Sequence, residues 1–133
     1  MMKLILIVVI LAVLITGLMA IQARIGRKGA EEFSGLIQQY KTSETKFVLL
    51  DIRTIGEFQQ GHIEGASQLD FYGKEFKSEL NKLNKETPYL IYCRSGNRSG
   101  QALRIFKELG FKDVQDLTGG IKSWLVAGKK LVK

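Results

Sequence analysis

Cys93 is the sole cysteine of the chain, and Arg94, Ser95, Gly96, Asn97, Arg98 and Ser99 follow it directly. A single cysteine excludes an internal disulfide and a paired redox motif, and with His62 as the single histidine no zinc site of the usual kind can be assembled. The thiol is therefore either a buried filler or a nucleophile. Filler is the commoner fate of a lone cysteine. Two arginines, two serines and a glycine are nevertheless a poor wall for an inert apolar thiol. If the segment joins a strand to a helix, several backbone N–H groups converge on the sulfur. Those groups, the helix N-terminus and the two cationic side chains favour thiolate over thiol, so no histidine base is required.

Other reactive side chains have plainer explanations. A dyad of His62 with Cys93 is rejected, because a histidine in a Gly-flanked turn (Gly61 and Gly65) more often satisfies local backbone groups. Asp51, Arg53 and Glu57 read as a structural ion-pair set near a strand end. Trp124 reads as a core or helix-docking residue.

The elements that must carry Cys93 follow from apolar periodicity. Ala30 to Tyr40 is expected as a helix, with Phe33, Leu36, Ile37 and Tyr40 on one face. Phe47 to Ile52 and Tyr89 to Tyr92 are short apolar runs of the kind buried on both faces of a sheet. Between them lie turns marked by Gly61, Gly65 and Gly73, a helix over about 74–83, and Pro88. Arg98 to Leu109 is expected as a helix burying Ala102, Leu103, Phe106 and Leu109, with Gly110 as its stop. A short strand around Val114, the Thr118-Gly119-Gly120 turn and a last helix with Ile121, Trp124 and Leu125 complete the order. Alternating strands and helices imply an α/β domain with a mostly parallel central sheet flanked by helices.

The loop CRSGNRS after a buried strand resembles the active-site loop of rhodanese-family domains. Asp51-Ile52-Arg53 resembles the family's D-x-R, and residues 57–66, EFQQGHIEGA, resemble its E-[FY]-x-x-G-H-I-x-G-A signature. Leu117 to Trp124 is similar to the family's closing L-x-G-G-x-x-x-W. The four motifs stand in the family's order across roughly residues 31–130; Gln68 departs from the Asn that many members carry there. The resemblance implies a rhodanese-like fold and a sulfurtransferase that takes a sulfane sulfur from a small anionic donor such as thiosulfate. Cys93 would carry it as a persulfide and pass it to cyanide, a thiol or a protein acceptor. Arg94, Ser95, Gly96, Asn97, Arg98 and Ser99 would form the substrate-binding loop, with Arg98 and Arg94 attracting the donor. No metal or organic cofactor is implied. Related phosphatases place their arginine one residue farther on, whereas four residues separate Cys93 from Arg98 here, and Tyr92 stands where those enzymes commonly have histidine. A persulfide carrier serving one partner, a protein-interaction module at the membrane, and a binding domain with a redox-sensing thiol are the competing functions.

With 133 residues, 45% of them hydrophobic, the chain has room for one domain and a short appendage. The formal net charge of +7 suits anions, but the lysines are scattered; charge alone selects no partner, and nucleic acid is not expected. From Leu4 to Ile21 the sequence is almost unbroken apolar, enough for about 27 Å of helix, close to a bilayer core. Residues 1–23 are expected as a transmembrane anchor in contact with lipid through 4–21, the alternative being a cleaved export signal ending near Ala20 or Ala23. Residues 24–30 are expected as a basic juxtamembrane linker and 31–133 as the rhodanese-like domain. Arg24, Arg27 and Lys28 after the apolar run, against Lys3 before it, favour a cytoplasmic domain.

Overall fold

The computed structural model describes the backbone of all 133 residues and the side chains of residues 1–15 and 22–133. Parity along the strands organises the domain. Tyr89, Ile91 and Cys93 face one side of the sheet, and Leu90 and Tyr92 face the other, all of them buried. That is the condition for a strand covered on both faces, and it explains why β4 (Tyr89–Tyr92) contains no charged residue. β2 (Val48–Asp51) divides in the same way, with Leu50 joining the first cluster and Leu49 the second.

Five strands form one sheet in the order β1-β5-β4-β2-β3, with every pairing parallel. β5 (Asp113–Leu117) and β2 flank β4, while β3 (Ser67–Gln68) and β1 (Arg24–Lys28) are the edges. On one face α4 (Phe76–Asn81) and α5 (Asn97–Glu108) contribute Phe76, Leu80, Ala102 and Phe106 to the core. Tyr89, Phe106 and Phe111 pack there as tilted and edge-to-face rings with centroids 4.8 to 5.9 Å apart. On the other face α2 (Ala30–Thr42) supplies Phe33 and Ile37, and α6 (Gly120–Val126) supplies Ile121 and Trp124. α2 carries Glu31 and Glu32 in its first turn and Lys41 in its last, each favourable to the helix dipole.

Three elements depart from expectation. Residues 24–30, read as a linker, contain β1, which pairs with β5 from Arg24↔Asp113 to Lys28↔Leu117. Its charged residues hid it, since an edge strand is covered on one side only and does not need an apolar run. α3 (Ile55–Gln60) forms within the stretch read as turns, started by a capping box in which Thr54 and Glu57 satisfy each other's backbone N–H groups. The helix expected over about 74–83 is shorter, Phe76–Asn81.

α1 spans Met2–Ile21, and every described side chain in it is exposed. Among the described residues, no helix is long and apolar enough to cross a membrane. The span expected over 4–21 includes residues 16–21, whose side chains lie outside the described residues.

Candidate active site

Cys93 follows β4 at the carboxyl edge of the sheet, and Gly96 takes a left-handed conformation (φ +93°) that turns the chain into α5. The turn brings donors onto the sulfur. Sγ accepts hydrogen bonds from the Gly96 N–H at 3.1 Å, the Ser99 N–H at 3.5 Å and the Ser99 hydroxyl at 3.3 Å. Gly96 and Ser99 are buried, and Cys93 is 1% exposed. A sulfur surrounded by donors and withheld from water is stabilised most when it carries negative charge.

The carbonyls of this segment are held from behind. The Ile121 N–H donates to the Cys93 carbonyl at 2.9 Å and the Lys122 N–H to the Arg94 carbonyl at 3.1 Å. The first turn of α6 thus binds the two peptide oxygens and leaves the loop's N–H groups free to face the sulfur. The approach is so close that a Cβ on Gly120 (φ +60°) would lie 2.5 Å from the Arg94 carbonyl carbon. This explains the second glycine of Thr118-Gly119-Gly120, while a Cβ on Gly119 (φ +77°) would meet the Ser123 Cβ at 2.8 Å.

Three ion pairs surround the loop. Arg53 and Asp51 join through Nη2 and Oδ2 at 2.7 Å, and Arg53 also donates to the Gly61 carbonyl at 2.7 Å. Gln68, the departure from the motif, donates from Nε2 to the Arg53 carbonyl at 2.7 Å, so it still ties β3 to this turn. Arg27, from β1, donates from Nε to Asp116 Oδ2 at 2.8 Å and from Nη2 to the Gly96 carbonyl at 3.0 Å. Arg98 makes a two-pronged pair with Glu57, at 2.8 and 2.9 Å. The Arg98 hydrogen bonds pull the Glu57 carboxyl down to about 2 against the opposing effect of burial. Burial raises the Asp116 carboxyl above its ordinary value, opposed by Ser99 and Arg27, and its Oδ1 has no hydrogen-bond partner.

The expected site residues are therefore brought together unequally. Gly96 and Ser99 contact the sulfur. Ser95 and Asn97 are exposed and line a cleft of about 670 Å³ with Arg27 and Arg104. Arg94 is exposed in a second cleft of about 520 Å³, beside Glu57, Lys122 and Leu125. The Arg98 guanidinium is committed to Glu57 and lies against the Tyr72 ring at 5.4 Å. The ion-pair set expected of Asp51, Arg53 and Glu57 is real for the first two, while Glu57 belongs to Arg98. His62 stacks on Phe58 at 3.8 Å with Nδ1 3.0 Å from the Phe58 carbonyl, a local role as expected. Trp124 packs edge-on against Phe33 and donates to the Lys130 carbonyl at 3.0 Å.

Arg27 and Asp116 escaped the sequence reading. The available signal was an aspartate inside an otherwise buried strand, Val114-Gln115-Asp116-Leu117, which needs a cation from a neighbouring element.

The pattern of the Rhodanese-like domain family matches residues 30–127, and those residues include the loop, its backing turn and the Glu57–Arg98 pair. The chain belongs to the rhodanese-like family. It is 38% identical over 93 residues to a protein named sulfurtransferase from Allochromatium vinosum, covering 69% of this chain and 85% of that one. A Bacillus subtilis protein named putative sulfur carrier protein YrkF is 33% identical over 87 residues, and the match covers 65% of this chain but only 46% of YrkF. Among solved structures, a rhodanese-related protein from Thermoplasma volcanium superimposes with a TM-score of 0.67 at 25% identity, over 80% of this chain and 96% of that one. Sulfur transfer is thus the chemistry of this rhodanese-like chain's family.

Proposed function

We propose that this rhodanese-like protein is a sulfurtransferase that moves a sulfane sulfur from thiosulfate or another donor to a thiophilic acceptor through a persulfide on Cys93. The observation that carries the reading is the convergence of the Gly96 N–H and both Ser99 donors on Sγ. In the loading step the lone pair of the Cys93 thiolate attacks the outer sulfur of thiosulfate. The Sγ–S bond forms, the bond to the sulfonyl sulfur breaks, and its electron pair leaves on sulfite. In the discharge step cyanide or a thiolate attacks the outer sulfur of the persulfide, and the Sγ–S pair returns to Sγ. The loop donors stabilise negative charge on sulfur at both ends of the cycle. Arg94, exposed in its cleft, draws the anionic donor inward, and Ser95 and Asn97 form the polar rim of the neighbouring cleft.

The test is the intact mass of the full chain in nonionic detergent after thiosulfate treatment, run beside cyanide-dependent thiocyanate formation. Gain of about one sulfur mass that cyanide removes with turnover, absent in Cys93→Ser, supports the reading. A second reading, a carrier that loads sulfur and discharges it only to one protein, is favoured by the name of YrkF. Loading without thiocyanate turnover selects it.

The same proposal places the domain at a membrane. Residues 1–23 act as a single-pass anchor with the domain on the cytoplasmic side, a reading supported by the almost unbroken apolar run, by the exposed Leu4, Ile5, Leu6 and Ile7 of α1, and by Arg24, Arg27 and Lys28 after the run. Protease added to intact cells leaves the domain uncut if this is right and digests it if the domain is external. The mass of the mature N-terminus distinguishes an anchor from a cleaved export signal.

A further inference from the structure

Three arginines around the Cys93 loop are each paired with a carboxylate: Arg27 with Asp116, Arg53 with Asp51, and Arg98 with Glu57. The third pair matters most, because Arg98 belongs to the Cys93 loop itself, in the first turn of α5. Its two terminal nitrogens are matched to the two Glu57 oxygens at 2.8 and 2.9 Å, so the end-on face of the guanidinium is occupied. Glu57 is itself held in place, since its Oε1 accepts from the Thr54 N–H at 3.3 Å and the Thr54 hydroxyl at 3.2 Å. The side chains of Arg98 and Glu57 are 12% and 28% exposed, so the pair is only partly screened by water.

We infer that Glu57 is a specificity-determining residue that, by cancelling Arg98, sets the site against doubly charged sulfur donors and in favour of donors carrying a single negative charge. The inference rests on the sulfur-transfer reading and specifies its donor class. A thiosulfate dianion approaching Sγ meets a carboxylate fixed on the cation that would otherwise receive it. A monoanionic thiosulfonate or an alkyl persulfide meets half that repulsion. In each case the Sγ–S bond forms and the leaving group departs with the electron pair, as sulfite from thiosulfate, as sulfinate from a thiosulfonate or as thiolate from an alkyl persulfide. The charge of the donor is what Glu57 reads.

Two donors with the same transferable sulfur and different charge isolate the effect: thiosulfate, a dianion, and methanethiosulfonate, a monoanion. Cyanide-dependent thiocyanate formation by the full chain in nonionic detergent gives kcat/KM for each, in wild type, Glu57→Gln and Glu57→Asp. Gln preserves the capping box with Thr54, and a thermal melt verifies that the variant is folded. Removing one negative charge is expected to raise kcat/KM about tenfold for thiosulfate and about threefold for methanethiosulfonate, shifting their ratio about threefold, and the shift shrinks as salt is added. Glu57→Asp keeps the charge and is expected to keep the wild-type ratio. A ratio that stays put in folded, active Glu57→Gln, or that moves toward methanethiosulfonate, overturns this inference alone. No turnover and no sulfur loading with either donor in wild type overturns the sulfur-transfer reading and this inference with it.

Discussion

Negative charge on sulfur at position 93 depends on three weak donors, and the Ser99 hydroxyl is the one a substitution can remove without touching the backbone. Ser99→Ala is expected to slow persulfide formation roughly tenfold, about the worth of one hydrogen bond to a charged group. Single-turnover loading measured by mass spectrometry checks this. Glu57 makes a different contribution. Arg98 lowers its carboxyl from the ordinary 4.5 to about 2, so the folded state holds the carboxylate more tightly than the unfolded chain does. The resulting stability is fully present above about pH 4.5 and is lost as the pH falls toward about 2. Thermal midpoints of wild type and Glu57→Gln should accordingly differ most near neutral pH and converge across that acid range. A gap that persists at the acid end would mean that Glu57 acts by packing rather than by charge.

At the level of elements, the loop is shaped by what stands behind it. α6 meets the Cys93 and Arg94 carbonyls through its first turn, and Gly120 is the point of closest approach. Gly120→Ala would set a methyl group against that backbone in a conformation L-residues avoid. It is expected to cost on the order of 2 kcal/mol or more in urea unfolding and to abolish loading even where folding persists. β1 works through Arg27, which joins Asp116 of β5 and the Gly96 carbonyl. Arg27→Ala leaves the fully buried Asp116 without its cation and is expected to lose about 2–3 kcal/mol. Arg27→Ala combined with Asp116→Asn should regain most of that loss, and the double-mutant cycle measures the coupling. Equal destabilisation in the single and double variants would show that β1 docks by its backbone ladder alone.

For the molecule as a whole, the sheet begins at Arg24, six residues before the stretch matched by the family pattern. A chain starting at Arg24 is expected to keep kcat/KM within about twofold while leaving the membrane fraction, because the described side chains of α1 are exposed. A chain starting at Ala30 lacks β1 and Arg27 and is expected to lose most of its activity and several degrees of thermal midpoint. Comparing the two chains by cell fractionation, activity and melting separates tethering from folding.

The buried strands β2 and β4, the helices α2 and α5 and the place of Cys93 at a strand end were legible in the amino-acid order, because apolar periodicity and glycine punctuation are local signals, whereas β1 and α3 were not. The candidate thiol and the loop after it were legible for the same reason, as seven consecutive residues. Partnership was not. Arg98 reads as a free cation until α3 is folded against α5 and Glu57, 41 residues away, occupies its guanidinium. Arg27 reads as part of a linker until β1 pairs with β5, 89 residues from Asp116. Side-chain types are written along the chain, but the field at a buried sulfur is a sum over charges brought together from distant segments. Only the closed sheet and its packed helices determine which of those charges cancel.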